Sequence, residues 1–349
     1  MPKDDVERGK IARRLDTMSI TLYIITALLV IVVVLMAYQS LFKPAYAYRQ
    51  PNTIINNSTS LTNHSATNTS NFGHRLTHID APLNSSALAV FNSASNSYFE
   101  TAGEMLLNGS LTNQVMDSPV SNSSIFKPLM INGKPTVVYI GAISCVYCGE
   151  NRWAMALALG RFGTFKSLYT GYSSFGDYDL PTIYWNADNY TTASNVGFGN
   201  NYTSSYINFV SADYESPIMQ GFEIQPLSYF IAKASSVNQT YLEAMKFMNS
   251  TGQFTGTPFT FWGKYLVGGA DAVDFSNSSS ASNLTLEYMT HAQMYNELKA
   301  PNDQMGWTEY AGADVYVAYL CSTLNSTGSP EPSICSLPAI QGIEKVMGI

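Results

Sequence analysis

The longest apolar run of the chain lies close to its N-terminus. Residues 18–38 are predominantly apolar and reach about 20 residues, the length that spans a bilayer as a helix. Basic residues are more frequent before this run than directly after it, which places the N-terminus in the cytoplasm. The pattern predicts a cytoplasmic segment at 1–17 and a single-pass anchor in the cell membrane at 18–38, with the bulk of the chain on the outer face. A cleavable signal peptide is the competing interpretation, but the run is longer than such peptides usually have.

Small polar residues follow the anchor. Residues 39–83 are dense in Asn, Ser and Thr and poor in large apolar side chains. Such a segment cannot bury enough apolar surface to offset its conformational entropy. We interpret it as a glycosylated stalk, followed by an ectodomain at 84–349.

The ectodomain alternates strand-like and helical patterns, which predicts an α/β fold. Short apolar runs predict strands at 129–131, 136–140, 182–185, 206–210 and 259–262. Apolar residues at helical spacing predict helices at 98–106, at 153–159 with an end at Gly163, within 227–248, and at 284–298, 312–324 and 337–347.

One junction between strand and helix carries reactive chemistry. The strand at 136–140 leads into Cys145-Val146-Tyr147-Cys148, and a helix follows. A helix N-terminus offers unpaired N–H groups and a positive dipole end, which stabilise a thiolate. Cys145 is therefore the predicted nucleophile, and Cys148, one turn into the helix, is the predicted resolving cysteine. The alternatives are a permanent disulfide or a metal site, but zinc needs two more ligands and no cysteine or histidine has the spacing of a zinc finger.

A second segment lies farther along the chain. Thr257-Pro258 precedes an apolar strand, a Gly-Lys turn and a second short strand. Together with the C-x-x-C, this segment resembles the thioredoxin superfamily, whose members place an X-Pro bond, usually cis, opposite the two sulfurs. The resemblance implies that Thr257 and Pro258 bind a substrate chain, with Tyr147 at the edge of the same site. A helical insertion at about 165–255 resembles the DsbA-like branch of that superfamily.

The segment around the cysteines is similar to the archaeal domain-of-unknown-function family 929. The similarity is carried by 139–153 and its continuation to Gly163, and extends over about 127–270. That family has no established reaction, so the resemblance implies a fold and a site rather than a substrate.

The chain departs from the usual thioredoxin pattern near the cysteines. Ser144 stands where thioredoxins carry Trp, and Tyr139 stands where they usually keep a buried carboxylate. No proton acceptor for Cys148 is therefore identified. Arg152 and Arg161 follow on the helix and could add positive potential near the sulfurs, although exposed or capping positions are more typical of such residues.

The remaining two cysteines predict a structural bond. The spacing of Cys321 and Cys335 suits a disulfide that ties the C-terminal helices at about 284–349, as in proteins of oxidising compartments.

Asn-X-Ser/Thr motifs, the acceptors of N-linked glycans, agree with an external location. An Asn-, Ser- and Thr-rich composition also generates such motifs by itself. They occur at Asn56, Asn57, Asn63, Asn68, Asn84, Asn108, Asn122, Asn189, Asn201, Asn238, Asn249, Asn277, Asn283 and Asn325.

Charge excludes one class of partner. Only 12% of residues are charged and the net charge is -7, so the chain has no basic surface for nucleic acid. We expect no metal and no cofactor. A surface of uncharged polar residues keeps its character in acid, which suggests an acidophilic archaeal source.

These observations predict a membrane-anchored, extracytoplasmic thiol-disulfide oxidoreductase or isomerase. Its partners would be protein disulfides or dithiols on surface or secreted proteins, with a possible redox partner in the membrane. The alternative is a non-enzymatic, glycosylated surface protein that keeps a thioredoxin-like fold for binding or for cell-envelope architecture.

Overall fold

A mixed β-sheet built around the strand before the C-x-x-C organises the protein. The computed structural model describes residues 78–111, 126–175, 178–186, 196–214, 226–254, 256–268 and 289–349. These residues all belong to one compact unit, 71–349, and form eleven strands and eight α-helices.

The strands are β1 (His78–Pro82), β2 (Met130–Ile131), β3 (Lys134–Ala142), β4 (Thr164–Phe165), β5 (Tyr169–Phe175), β6 (Tyr178–Tyr184), β7 (Val196–Phe198), β8 (Tyr202–Thr203), β9 (Asn208–Tyr214), β10 (Phe259–Trp262) and β11 (Tyr265–Gly268). The helices are α1 (Ser85–Asn92), α2 (Asn96–Leu107), α3 (Val146–Leu159), α4 (Leu227–Ala234), α5 (Gln239–Ser250), α6 (His291–Lys299), α7 (Gln304–Thr327) and α8 (Pro338–Met347), with a 3-10 helix at Ser333–Ser336.

The main sheet has the order β11-β10-β3-β9-β7, and β2 pairs with the start of β3. β3 runs parallel to β9 and antiparallel to β10. A parallel pair needs a long crossover connection, and α3 begins that crossover directly after β3. The C-x-x-C therefore lies at the C-terminal end of the central strand.

Helices cover both faces of this sheet, and the side chains of β3 point alternately into two separate cores. Val137 and Tyr139 face a core that is shared with α2, α3, α6 and α7. Val138 and Ile140 face a second core formed with α4 and α5. Because alternate residues of a strand point to opposite faces, a strand buried on both sides reads as a continuous apolar run.

The predicted helical insertion contains more strand than expected. Antiparallel β5 and β6 form a three-stranded sheet with β1, and β4 pairs with β8, before the two helices α4 and α5 begin. β1 also lies inside the segment that the sequence pattern predicts as stalk, since His78 pairs with Tyr172. Its strand conformation depends on pairing with β5 rather than on an apolar pattern of its own.

Several helix boundaries also differ from their predictions. α3 ends at Leu159 rather than Gly163, because Gly160 is its C-cap and a further turn follows. α7 begins already at Gln304, where the Asp303 carboxylate accepts hydrogen bonds from two backbone N–H groups. Such an N-cap can start a helix well before its apolar pattern becomes regular.

A disulfide joins Cys321 on α7 to Cys335 in the 3-10 helix. The two cysteines are 14 residues apart in sequence. Closing a loop of this length contributes about 3 kcal/mol in the loop-entropy picture.

Within the described residues, no helix combines the length and apolarity that a membrane crossing requires. The predicted anchor at 18–38 and the stalk up to residue 77 lie outside those residues.

Two buried carboxyl groups lie on α7. Burial, and then the nearby Glu150, raise the pKa of Glu309 well above its usual value, and a contact with the Ala154 backbone offsets this only in part. Burial and Glu100 do the same for the pKa of Asp314. Neither Asp314 oxygen has a hydrogen-bond partner among the described residues. Both groups therefore favour the neutral, protonated form inside the helical layer.

We expect this layer to be more stable in acid. The unfolded chain releases these protons above about pH 4, whereas the folded chain keeps them, so stability falls as pH rises above that value. Glu309→Gln should therefore raise the melting temperature at pH 7, by about 3–5 °C for each unit by which the pKa is raised, and the gain should vanish near pH 3. Differential scanning fluorimetry from pH 3 to 8 measures this.

Glu104→Gln on α2 serves as the control, because Glu104 is exposed. A lower melting temperature for Glu309→Gln than for the unmodified protein at pH 7 would show that Glu309 is ionised and stabilising in the fold.

Candidate functional site

Cys145 is the N-cap residue of α3. Its Sγ accepts a hydrogen bond from the backbone N–H of Cys148 at 3.3 Å. The same sulfur lies 3.5 Å from the carbonyl oxygen of Thr257, to which it donates. Both members of the C-x-x-C are free thiols. The first sulfur therefore lies where the N–H groups of the helix stabilise negative charge.

The sheet brings Thr257 to the cysteines. The Thr257–Pro258 peptide bond is cis, and Pro258 directly precedes β10. β10 pairs with β3 so that Phe259 lies opposite Ile140, near the end of the strand that leads to Cys145. Residues 112 positions apart in sequence thus form one site.

Cys148 lies one turn into α3 and is fully buried. Its Sγ accepts a hydrogen bond from the backbone N–H of Ala142 at 3.5 Å. Burial raises the pKa of the Cys148 thiol well above its ordinary value, and the neighbouring Cys145 raises it further, whereas Arg152 and the Ala142 N–H lower it. Cys148 is therefore held as a neutral thiol in this state.

A buried ion pair lies behind the cysteines. The Arg152 guanidinium on α3 donates to the Asp213 carboxylate on β9 at 2.8 Å, and both side chains are almost wholly excluded from solvent. The Tyr139 hydroxyl donates to the same carboxylate oxygen at 3.1 Å. Burial opposes the charge on Arg152, but Asp213 outweighs it and the pKa of Arg152 is raised, so the guanidinium stays charged.

Arg152 also fixes the turn between β3 and α3. It donates to the Ala142 carbonyl at 3.1 Å, and its guanidinium lies over the Tyr184 ring, 4.4 Å from the centroid. Tyr184 in turn donates to the carbonyl of Ile143 at 2.9 Å, and Ser173 donates to that same carbonyl at 2.7 Å. Hydrogen bonds from Arg152, Tyr184 and Ser173 thereby fix the backbone that leads to Cys145.

The sequence pattern assigned Arg152 to an exposed or capping position, which is wrong. Arg161 is a capping residue, but for another helix: it donates to the carbonyls of Phe91 and Ala94 around the end of α1. Arg152 follows Cys148 by four residues, and this spacing puts both on one face of the helix. Asp213 is a charged residue near the end of an apolar strand, which is the one signal that could have indicated a buried role.

Burial of the first cysteine is the second departure from expectation. An attacking sulfur needs to be accessible, whereas Cys145, the predicted nucleophile, is only 1% exposed. Tyr147, between the two cysteines, is 54% exposed. The solvent-facing part of the motif is therefore the tyrosine, and a reaction at Cys145 requires local movement.

A family model described as "Domain of unknown function (DUF929)" matches residues 120–321. The chain belongs to this family. In this DUF929 member the matched range contains the C-x-x-C, the Arg152–Asp213 pair and Thr257–Pro258. It also includes Cys321, but ends before its disulfide partner. No curated protein and no solved structure matched the chain.

Metal ligands do not cluster in the described part of this DUF929 protein. No group of three or more His, Cys, Asp or Glu side chains there is arranged to hold a metal ion.

The ion pair should dominate the stability of the site. Replacing Arg152 by Met leaves the Asp213 carboxylate buried without a counter-charge, which we expect to cost about 3–5 kcal/mol of unfolding free energy. Asp213→Asn in the same background should recover part of that loss, because the uncompensated charge is removed. Urea unfolding of the two single variants and the double variant measures this coupling.

Arg161→Met is the matched control, because that arginine is partly exposed and bonds backbone carbonyls. Equal losses for the two arginine variants would contradict a special role for the ion pair.

Proposed function

We propose that this DUF929 protein is a thioredoxin-like thiol-disulfide oxidoreductase or isomerase of the DsbA-like type. It is anchored in the cell membrane by residues 18–38, with an extracytoplasmic, glycosylated ectodomain. Its substrates are disulfides or dithiols of surface or secreted proteins, and a membrane redox partner restores its own cysteines. An archaeal source is part of the same proposal.

The contacts of the Cys145 sulfur are the main support for this proposal. A sulfur at a helix N-cap, bonded by Cys148 N–H and facing the carbonyl before a cis proline, supports thiol-disulfide exchange rather than a structural role. A permanent structural disulfide needs neither the helix N-terminus nor the backbone of Thr257. Those features serve a sulfur whose charge changes during a reaction.

The exchange proceeds in two steps. The Cys145 thiolate attacks one sulfur of a substrate disulfide, the substrate S–S bond breaks, and one substrate thiolate leaves. The Cys148 sulfur then gives up its proton and attacks Cys145 Sγ, which releases the second substrate thiol. The substrate gains two electrons and Cys145–Cys148 becomes a disulfide. The reverse sequence oxidises a substrate dithiol, and in that direction the membrane partner removes the electrons from the enzyme.

The buried cluster balances charge in the second step. As Cys148 becomes a thiolate, Arg152 offsets the cost of burying that charge, since it already acts to lower the pKa of the thiol. Asp213 holds Arg152 in place and compensates its charge while Cys148 is neutral. Tyr139 completes the hydrogen bonds of the carboxylate. The raised pKa keeps Cys148 from competing with Cys145 for the first attack.

Burial of both cysteines favours a second candidate. With Cys145 and Cys148 at 1% and 0% exposure, a substrate disulfide has no open approach to either sulfur in this state. A glycosylated surface protein that keeps the fold for binding or architecture would have this feature. The two candidates differ in whether Cys145 reacts in the folded protein.

Trapping of a mixed disulfide tests the enzymatic proposal. With Cys148 replaced by Ser, attack at Cys145 cannot be resolved, so an adduct with oxidised glutathione or a disulfide-bonded peptide should accumulate. Intact-mass spectrometry reads the adduct. The Cys145→Ser variant is the control and should form at least tenfold less adduct, because its remaining thiol is buried and protonated.

Alkylation separates the enzyme from the binding protein. Iodoacetamide added to the folded, reduced chain at neutral pH should modify Cys145 before Cys148, and peptide mapping assigns the site. If both cysteines stay unmodified until denaturant is added, and Cys148→Ser gives no adduct, the binding protein is the correct reading.

A further inference from the structure

The asparagines of the described ranges differ in exposure according to whether they belong to an Asn-X-Ser/Thr motif. One group contains the acceptors of Asn-X-Ser/Thr motifs, and every member of it is exposed. These are Asn84, Asn108, Asn201, Asn238, Asn249 and Asn325. Of the nine other asparagines in the described ranges, six are buried or half-buried, so exposure is not the general condition of this residue type in the fold.

Asparagines outside such motifs are used differently. Four of them donate Nδ2 to backbone carbonyls that lie nine or more positions away in sequence: Asn92 to Phe165, Asn186 to Gly199, Asn200 to Phe209 and Asn208 to Ile131. Asn151, also outside a motif, is buried and accepts from the Tyr316 hydroxyl.

Three of the motif asparagines contribute their oxygen instead. Asn84 and Asn238 are N-caps of α1 and α5, and in each the Oδ1 accepts the backbone N–H three residues on, at 2.9 and 3.1 Å. Asn108 Oδ1 accepts from the backbone N–H and the hydroxyl of Ser110, its own motif serine. An N-linked sugar is attached at Nδ2 and leaves Oδ1 as an acceptor, so each of these caps and turns survives modification.

The other three acceptors lie in similarly open places. Asn249 and Asn325 are in the last turns of α5 and α7. Asn201 precedes β8 and donates Nδ2 to the exposed hydroxyl of Ser167 at 2.6 Å. A glycosylated amide keeps one N–H, which can continue to serve that bond.

The segments that build the redox site contain no acceptor. No Asn-X-Ser/Thr motif occurs between residues 123 and 188, which include β3, the C-x-x-C and α3, or between 252 and 276, which include Thr257–Pro258. None of the six sites therefore lies on the segments that build the redox site.

We propose that the six exposed motif asparagines carry N-linked glycans. The donor is an oligosaccharide joined to a lipid phosphate. Its C1–O bond to phosphate breaks, a C1–Nδ2 bond forms, the amide loses one proton, and the lipid phosphate leaves. The proposal rests on the extracytoplasmic location of the proposed function but not on its redox chemistry.

Glycopeptide mass spectrometry of the full chain, purified from the membranes of its own cells, tests the proposal. Each of the six peptides should carry one glycan mass, while the exposed non-motif residue Asn296 should carry none. Six unmodified peptides in protein whose stalk motifs are modified would overturn the proposal.

Matched variants at α5 separate the sugar from the helix cap. Asn238→Asp keeps a good N-cap oxygen but removes the acceptor nitrogen, and Thr240→Ala keeps Asn238 but removes the motif. Both should lose one glycan mass and leave the melting temperature of enzymatically deglycosylated protein within about 2 °C of the reference. A retained glycan in either variant would contradict attachment at Asn238.

The redox assay is independent of these outcomes. Adduct formation by Cys148→Ser in a chain without sugars would leave the proposed redox function standing and remove only the glycans. Glycans on a chain that forms no adduct would support the glycosylation sites and contradict the proposed redox function.

Discussion

The Arg152–Asp213 ion pair is the constraint on which the rest of the site depends. Two opposite charges in a sheet-and-helix interior are stable only if they meet each other, so α3 must dock with Arg152 facing the end of β9. That docking sets the position of Ala142, Ile143 and the N-terminus of α3. The parallel register of β3 and β9, with Gly141 opposite Asp213, brings Tyr139 into the same network. Gly141 has to lack a side chain, because a Cβ there would meet the Tyr139 hydroxyl and the Asp213 carboxylate.

Buried ionisable groups of the protein are of two kinds, charged groups that form an ion pair and carboxyl groups that favour the neutral form. Near the cysteines, the buried charges are paired and the arginine stays ionised. In the helical layer formed by α2, α3, α7 and α8, Glu309 and Asp314 have no cationic partner among the described residues and favour their neutral form. The ion pair near the cysteines can compensate a change of charge at a sulfur. The neutral carboxyls allow the helical layer to stay packed in acid. The low content of charged residues and the exposed asparagines agree with a surface whose solubility depends on hydroxyl and amide groups.

Burial of Cys145 connects structure and proposed chemistry. The Cys145 sulfur accepts a backbone N–H at the helix N-cap, while its low exposure limits which partners reach it. Tyr147 is the part of the motif in solvent, so recognition of a substrate would begin at that ring and at the backbone of Thr257. An enzyme of this kind would react slowly with small oxidants and faster with a protein that can open the site by binding.

Much of the local structure was determined by the sequence alone. Apolar runs located the main strands, and helical spacing located α2, α4, α5 and α8. These are short-range preferences of backbone and side chain, and they act whatever the rest of the chain does. The two cysteine pairs and Thr257–Pro258 were equally visible as motifs.

Tertiary structure decided what those motifs do. Strand β1 exists because β5 pairs with it, and the exposure of Cys145 depends on segments far from it in sequence. In the sequence, Arg152 and Asp213 look like ordinary polar residues. They are 61 positions apart, so no local pattern indicates that they are in contact. A charge is driven into the interior only when its partner is already there, and that partner is specified by the register of β3 against β9 rather than by any local pattern.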